Sequence, residues 1–207
     1  MKKKFSGVYT AAVTPFNQDE SIDFGALREI VEVMVDAKLD GILIAGNTGE
    51  FTMMTPDERK QVVKAACEAA AGRIKIIASS CAHWTAGTLD FIEYADSVGV
   101  DFHLINPPYD TPTSDQCVMD YFEEICAAAK AGIVIHNNAA FPNACLTPEM
   151  LAKLAKIDNL VGVKDVCPFS HYSKVLQLTA DNDTFSVFSG YEDTILAGFA
   201  IGVDGTM

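Results

Sequence analysis

The chain has 207 residues, of which 49% are hydrophobic, so it can form one large domain with a substantial core. Its 15 Lys and Arg residues stand against 28 Asp and Glu residues, and the resulting net charge of −13 disfavours nucleic acid or an anionic membrane as a partner. No run approaches the ~18–20 apolar residues of a membrane span, and no long apolar segment follows Lys2-Lys3-Lys4 as in a signal peptide. We therefore expect a cytoplasmic globular protein.

Short apolar strands and helical segments alternate along the whole chain. The predicted strands begin near residues 8, 41, 74, 102, 132, 160, 185 and 203, at intervals of roughly 18–33 residues that match one βαβ unit. Helices between them carry start signals, such as Thr55-Pro56-Asp57-Glu58 with its N-cap, proline and early acids. Eight units in a row predict a closed (β/α)₈ barrel of parallel strands rather than an open sheet. The absence of any Gly-rich nucleotide motif after a strand agrees with this.

The last predicted strand, Val203–Met207, coincides with the end of the chain. Barrels of this kind typically run to ~250 residues. We therefore expect residues 1–207 to form a single barrel domain that lacks its eighth helix. Apolar surface beside the missing helix should be exposed.

Lys164 lies at the end of the sixth apolar strand, Leu160–Lys164, where a flexible cation is unusual. Its side chain either reaches out to solvent or lies in a pocket that uses the amine. A pocket would lower the pKa of Lys164 and free the amine to attack a carbonyl carbon as a Schiff-base nucleophile.

Three more strand ends would meet Lys164 at the C-terminal face of a barrel, where active sites form. The loop Gly46–Glu50 can present amides and a hydroxyl to an anion such as a carboxylate, although it also fits an ordinary glycine turn. The stiff loop Asn106–Tyr109 can hold the Tyr109 phenol, which could equally pack on the rim. His136 could be a core histidine, but an imidazole that titrates beside an amine suits the proton transfers of carbinolamine chemistry.

The remaining histidines and the cysteines predict no further site. We expect His83 and Trp84 in a surface loop, His103 packed in or around the barrel, and His171 exposed. No acidic or histidine set has metal-ligand spacing, so no metal is predicted. The six cysteines form no C-x-x-C pair and are expected to be free, mostly buried thiols: Cys67, Cys81, Cys117, Cys126, Cys145 and Cys167.

Two of these segments resemble a known family. Gly46-Asn47-Thr48-Gly49-Glu50 resembles a G-[ST]-T-G-E loop, with Thr55–Arg59 matching the helix start after it, and Val161–Asp165 resembles a G-[IVF]-K-[DE] segment. Both are found in the dihydrodipicolinate synthase / N-acetylneuraminate lyase family of class I aldolases. Its members are (β/α)₈ barrels that form a Schiff base with pyruvate or another 2-oxo acid. The resemblance covers Phe5 to Met207, without the closing helix and the helical C-terminal extension.

The resemblance implies a role for each matching residue. Lys164 would be the nucleophile, and His136 would occupy the acid/base position. Thr48 with its neighbours Asn47 and Gly49 would hold the carboxylate of the 2-oxo acid, while Gly190 and Met207 would line the far side of the pocket. The covalent imine on Lys164 would make any other cofactor unnecessary. Tyr109 matches a tyrosine that family members lend across a tight dimer interface, which implies a homodimer or homotetramer.

Three departures from the family pattern bear on the reaction. His136 stands where the family usually has tyrosine, and Asn47 replaces the first of two hydroxyl residues. An arginine that synthases use for a second carboxylate is missing, with Phe141 near its position. We therefore favour a lyase or aldolase, or a dehydratase, acting on pyruvate or a 2-keto-3-deoxy acid; Gly49-Glu50-Phe51 also resembles the superfamily's dehydratases. The alternatives are 4-hydroxy-tetrahydrodipicolinate synthase and a catalytically silent homologue that only binds a 2-oxo acid.

Overall fold

Eight parallel strands close into a barrel in the computed structural model, which describes residues 5–109, 112–140, 143 and 145–207. Each strand pairs with the next along the chain, and Gly7 of the first pairs with Gly205 of the eighth. The predicted (β/α)₈ barrel is thereby confirmed. The strands are β1 (Gly7–Ala11), β2 (Gly41–Ile44), β3 (Lys75–Ser79), β4 (Phe102–Ile105), β5 (Gly132–Asn138), β6 (Leu160–Val166), β7 (Ser186–Ser189) and β8 (Gly205–Thr206).

Seven α-helices cover the outside of the barrel among the described residues: α1 (Phe24–Asp36), α2 (Pro56–Ala70), α3 (Thr85–Val98), α4 (Asp115–Ala128), α5 (Pro148–Leu154), α6 (Phe169–Leu178) and α7 (Ile195–Ile201). The start of α2 has the predicted chemistry: the Thr55 side chain accepts from the Glu58 amide, and Glu58 accepts from the Thr55 amide. Among the described helices, none is long and apolar enough to cross a membrane.

Aromatic side chains fill the bottom of the barrel. Phe5, which directly precedes β1, is fully buried and stacks on Phe188 of β7 with ring centroids 3.9 Å apart. It also meets Tyr9 and Phe102 at 5.3 and 5.0 Å. Such packing closes the N-terminal end of the barrel, so that the C-terminal end is left for a binding site.

Apolar side chains are exposed near the first and last strands, as expected from the sequence. Val8 on β1 is 41% exposed, and Leu196 and Phe199 on α7 are 84% and 44% exposed. The helices elsewhere are backed by two larger apolar clusters, one under α1 to α3 and one under α4 to α6.

β5 and β6 are longer than the sequence predicts. We expected β6 to end at Lys164, but it continues to Val166, because Asn137 pairs with Asp165 and Asn138 with Val166. Lys164 is therefore held by ladder pairing on both sides of its position, which fixes its backbone more firmly than a strand end would.

Candidate active site

Lys164 and His136 face one cavity of about 590 Å³ that opens at the C-terminal end of the barrel. They are register partners on β6 and β5, so their side chains leave the sheet on the same side. Of the residues that the sequence assigns to the site, those that line this cavity are Asn47, Thr48, His136, Lys164, Gly190 and Met207. The fold therefore brings together residues from the ends of β2, β5, β6, β7 and β8.

Burial lowers the pKa of Lys164 to about 8, against an ordinary value of 10.5. The negative charge of Glu192, which also lines the cavity, opposes the shift and holds the pKa higher than burial alone would. The low polarity around the amine disfavours the ammonium form. A substantial share of Lys164 is therefore neutral and nucleophilic at pH values near neutrality.

His136 is 6% exposed, and its Nδ1 lies 3.0 Å from Oδ1 of Asn106. An amide oxygen only accepts, so Nδ1–H donates and the free lone pair is on Nε2. Burial, together with the nearby Lys164 charge, lowers the pKa of His136 to about 3. The expectation that the His136 imidazole titrates beside the amine is therefore wrong, because this site keeps His136 neutral across the physiological range.

Gly49 positions the loop after β2. Its carbonyl accepts a 2.7 Å hydrogen bond from Oγ1 of buried Thr14, and a Cβ at this position would lie 3.0 Å from the Ala12 carbonyl oxygen. Only a glycine allows so close an approach to the end of β1. Gly49 itself is buried, whereas its neighbours Asn47 and Thr48 line the cavity, so the role of Gly49 as an amide donor to substrate stays a prediction.

Tyr109 does not line the Lys164 cavity. It lies in a neighbouring hollow of about 170 Å³ together with His83 and Trp84, and the His83 and Tyr109 rings are 5.7 Å apart. The surface position predicted for His83 and Trp84 is confirmed, since both are exposed. The prediction that Tyr109 serves a second subunit is untested, and Phe141 lies outside the described residues.

The prediction that His171 is exposed is wrong. Its side chain is only 17% exposed, with Nδ1 at 2.7 Å from Asp165 Oδ2 and Nε2 at 2.9 Å from the Leu146 carbonyl oxygen. The hydrogen bond with Asp165 raises the pKa of His171. One signal was available: Asp165 follows an inward-facing lysine, so strand alternation turns it outward towards the helices, where a buried carboxylate needs a partner.

His103 packs between the barrel and α3, as predicted, and is fully buried. Its Nδ1 lies 2.9 Å from Ser80 Oγ and its Nε2 lies 3.1 Å from Asp96 Oδ1. This order resembles a hydrolase triad, but both Ser80 and His103 have no exposed surface. The three groups satisfy one another's hydrogen bonds in the core, and no substrate can reach the hydroxyl.

The roles of one glutamate and one asparagine at the site, Glu192 and Asn106, could not be predicted from the sequence. Glu192 follows β7 in a short 3-10 turn over Glu192–Thr194, and Asn106 directly follows β4. Asn106 begins the loop that the sequence assigns to Tyr109, but no local pattern predicts its contact with His136 or the position of Glu192 at the cavity. Both depend on the closed barrel.

The sequence matches the model of one protein family along nearly its whole length. The model of the dihydrodipicolinate synthetase family matches residues 4–207. The chain belongs to the dihydrodipicolinate synthetase family. A curated 4-hydroxy-tetrahydrodipicolinate synthase from Thermoanaerobacter sp. (strain X514) is 32% identical over 203 residues, which cover 96% of this chain and 66% of that protein.

Solved structures give the same family. The chloride-inhibited dihydrodipicolinate synthase from Acinetobacter baumannii, complexed with pyruvate, superposes with a TM-score of 0.92 at 27% identity, covering 98% of this chain and 69% of that one. N-acetylneuraminate lyase from Mycoplasma synoviae gives a TM-score of 0.86 at 27% identity, with coverages of 98% and 68%. This chain thus spans about two thirds of the length of these members of the dihydrodipicolinate synthetase family. Their names include both a synthase and a lyase, so membership alone leaves the reaction open.

Proposed function

We propose that this protein is a class I lyase or aldolase that binds pyruvate, or a 2-keto-3-deoxy acid that yields pyruvate, as an imine on Lys164. The observation that carries the proposal is the half-buried Lys164, whose amine has a lowered pKa and faces the C-terminal cavity beside a neutral His136. A pyruvate complex of a family member supports the choice of a 2-oxo acid.

The lowered pKa supports the role of Lys164 as a nucleophile. With a pKa of about 8, about a quarter of the amine is neutral at pH 7.5, whereas an amine with the ordinary value would be about 0.1% neutral. The gain in reactive amine is therefore more than a hundredfold. The proposed activation uses no metal: burial supplies the neutral amine, and the positive charge of the iminium makes it an electron sink.

The proposed reaction has four steps. Neutral Nζ of Lys164 attacks the C2 carbonyl carbon, and the resulting carbinolamine takes up one proton from solvent at its hydroxyl group and loses water to give a protonated imine. The C3–C4 bond of a 4-hydroxy substrate then breaks: the C4 hydroxyl gives up its proton, the C4 fragment leaves as an aldehyde, and the bonding electrons move into the imine to form an enamine. Protonation of the enamine at C3 and attack of water on C2 release pyruvate and return the amine.

His136 is proposed to accept the C4 hydroxyl proton. Its Nε2 carries the free lone pair, because Nδ1–H is committed to Asn106. A base with a pKa of about 3 is weak, but the transferred proton can pass on to solvent or to the enamine once the bond has broken. Asn106 is accordingly a positioning residue, which holds the imidazole in the tautomer that accepts at Nε2.

The charge around the cavity favours a neutral polyhydroxy partner over an anionic aldehyde. Glu192 lines the cavity, and its charge reaches Lys164. A carboxylate at this position repels a second anionic group and accepts hydrogen bonds from hydroxyls. This favours cleavage of a 2-keto-3-deoxy sugar acid over a synthase reaction with a carboxylate-bearing aldehyde.

A turnover assay on a panel of 2-keto-3-deoxy acids tests the proposal. We expect pyruvate release by the wild-type protein and a fall of at least a thousandfold in Lys164→Ala, because the covalent intermediate is lost. Lys174→Ala, which changes an exposed lysine on α6, is the matched control and should retain wild-type turnover. Equal turnover by Lys164→Ala and the wild-type protein would reject the mechanism.

The synthase is the second candidate, favoured by the name of the curated relative from Thermoanaerobacter. It requires condensation of the pyruvate imine with a carboxylate-bearing aldehyde, and the same panel can include that reaction. A catalytically silent homologue is the third, favoured by Asn47 and His136 at positions where the family pattern has hydroxyl residues. A silent protein would bind pyruvate but turn over no member of the panel above the Lys164→Ala control.

A further inference from the structure

Two thiols and an imidazole meet on the outer side of the barrel, on the opposite face of β6 from Lys164. Cys145 lies just before α5, Cys167 follows β6, and His171 lies in the first turn of α6. The two sulfur atoms and a ring nitrogen of His171 all lie within 4.8 Å of one another. Three separate elements thus contribute one soft or borderline ligand each to a single point.

The separation of the two sulfur atoms fits a shared metal ion. Sγ of Cys145 and Sγ of Cys167 are 3.6 Å apart. Two thiolates bound tetrahedrally to zinc at bonds of about 2.3 Å are separated by about 3.8 Å, which is close to the observed distance. A disulfide would need a separation of about 2.05 Å.

Neighbouring polar groups are placed to support a metal-bound imidazole. Nδ1 of His171 donates to the Asp165 carboxylate at 2.7 Å, so Nε2 is the nitrogen that can ligate. A carboxylate on the second ring nitrogen is the usual support of a zinc-binding histidine. Asn137 Nδ2 lies 3.4 Å from Cys167 Sγ and can donate to a thiolate there.

We infer that Cys145, Cys167 and His171 bind one zinc-class divalent cation through two sulfur atoms and Nε2. Binding replaces the hydrogen bond from Nε2 to the Leu146 carbonyl oxygen and releases the two thiol protons and the Nε2 proton to solvent. Cys145 is half-buried, so water can occupy the fourth position. The ion would tie the segment before α5 to β6 and α6, and it would stabilise the folded chain.

The sequence predicts no metal site, because Cys145 is separated from the other two ligands by a helix and a strand, and Cys167 and His171, four residues apart, do not make a metal motif by themselves. The barrel provides the proximity that the sequence pattern does not show. The proposed site is also independent of the Lys164 chemistry, since it lies on the other face of β6.

Titration of the full chain, metal-free and fully reduced, with cobalt(II) tests the inference. Cobalt(II) can substitute for zinc at zinc-binding sites, and a cobalt ion bound by thiolates has a charge-transfer absorption in the near ultraviolet. We expect one equivalent to produce this absorption, zinc to displace it, and saturating zinc to raise the melting temperature. Absence of the absorption in protein shown to be reduced and folded would overturn the inference.

Two variants and one control identify the ligands. Cys145→Ser changes a half-buried thiol and should preserve the fold, while weakening cobalt binding at least tenfold; His171→Gln should weaken it similarly. Cys117→Ser changes an exposed thiol on α4 and should bind like the wild-type protein. Unchanged binding in both Cys145→Ser and His171→Gln, or loss of binding in Cys117→Ser, would contradict the assignment.

Discussion

At the scale of single residues, the site contains two basic side chains, Lys164 and His136. Burial disfavours the protonated form of each. Lys164 is held at a pKa of about 8 and His136 at about 3. Keeping such groups away from water costs stability, because their unfolded forms bind protons more readily. Functional sites commonly contain groups of this kind, whose environment serves reactivity rather than stability.

Because the pKa of His136 is low in the folded protein, the free energy of unfolding depends on pH in the acidic range. Unfolded His136 titrates near 6.5, so the unfolded chain binds a proton as the pH falls below 6.5 while the folded chain does not until about 3. His136 therefore leaves the free energy of unfolding unchanged above about pH 6.5 and lowers it progressively as the pH falls towards 3. We expect this residue to remove about 2 kcal/mol of unfolding free energy between pH 7.5 and pH 5.

Urea unfolding at the two pH values measures this loss. The wild-type protein should lose about 2 kcal/mol more than His136→Gln over the same interval. His83→Asn, which changes an exposed histidine, is the control and should follow the wild-type acid profile. An identical acid response in His136→Gln and the wild-type protein would show that His136 titrates alike in both states.

At the scale of elements, the strands and their order could be predicted, because few folds accommodate continuous apolar strands that alternate with capped helices. The C-terminal ends of β5 and β6 could not be predicted. Asn137 and Asp165 are polar and look like loop residues, yet they pair in the ladder and join through a 2.9 Å hydrogen bond from Asn137 Nδ2 to Asp165 Oδ1. Only the fold supplies partners that let polar residues extend a buried strand.

The loop after β2 gives a prediction at this scale. In Gly49→Ala the new methyl group would lie 3.0 Å from the Ala12 carbonyl oxygen, so the loop must shift. We expect a loss of about 1–3 kcal/mol in stability and a several-fold rise in the KM for a 2-oxo acid, because Asn47 and Thr48 move with the loop.

Gly25→Ala is the matched control for Gly49→Ala. Gly25 lies in α1, where the only close neighbour of an added Cβ is Asp23 Oδ1 at 3.2 Å. Its substitution should leave the KM unchanged. If Gly49→Ala bound the 2-oxo acid as tightly as the wild-type protein, the loop would have no part in holding the substrate.

At the scale of the whole molecule, the barrel explains how much of the site could be foreseen. Lys164, His136 and Thr48 were predicted together because parallel strands in a barrel all end at one face. The partners that set their properties, Asn106 and Glu192, depend on side-chain contacts between remote loops, which no local pattern encodes.

The barrel core also predicts where stability resides. Phe5→Ala removes a fully buried ring that contacts three other aromatic rings, and we expect a loss of roughly 3–5 kcal/mol. Leu196→Ala, at a position that is 84% exposed, should change stability by less than about 0.5 kcal/mol. Thermal unfolding of both variants measures the difference, and equal losses would contradict the described packing of the barrel interior.

The most direct test of the central claim is reductive trapping. The wild-type protein is incubated with pyruvate and borohydride, and the modified peptide is then mapped by mass spectrometry. The account predicts a reduced pyruvate adduct on Lys164 that is absent in Lys164→Ala and unchanged in Lys174→Ala. No adduct in folded wild-type protein, or an adduct on another lysine, would contradict the proposed Schiff-base mechanism.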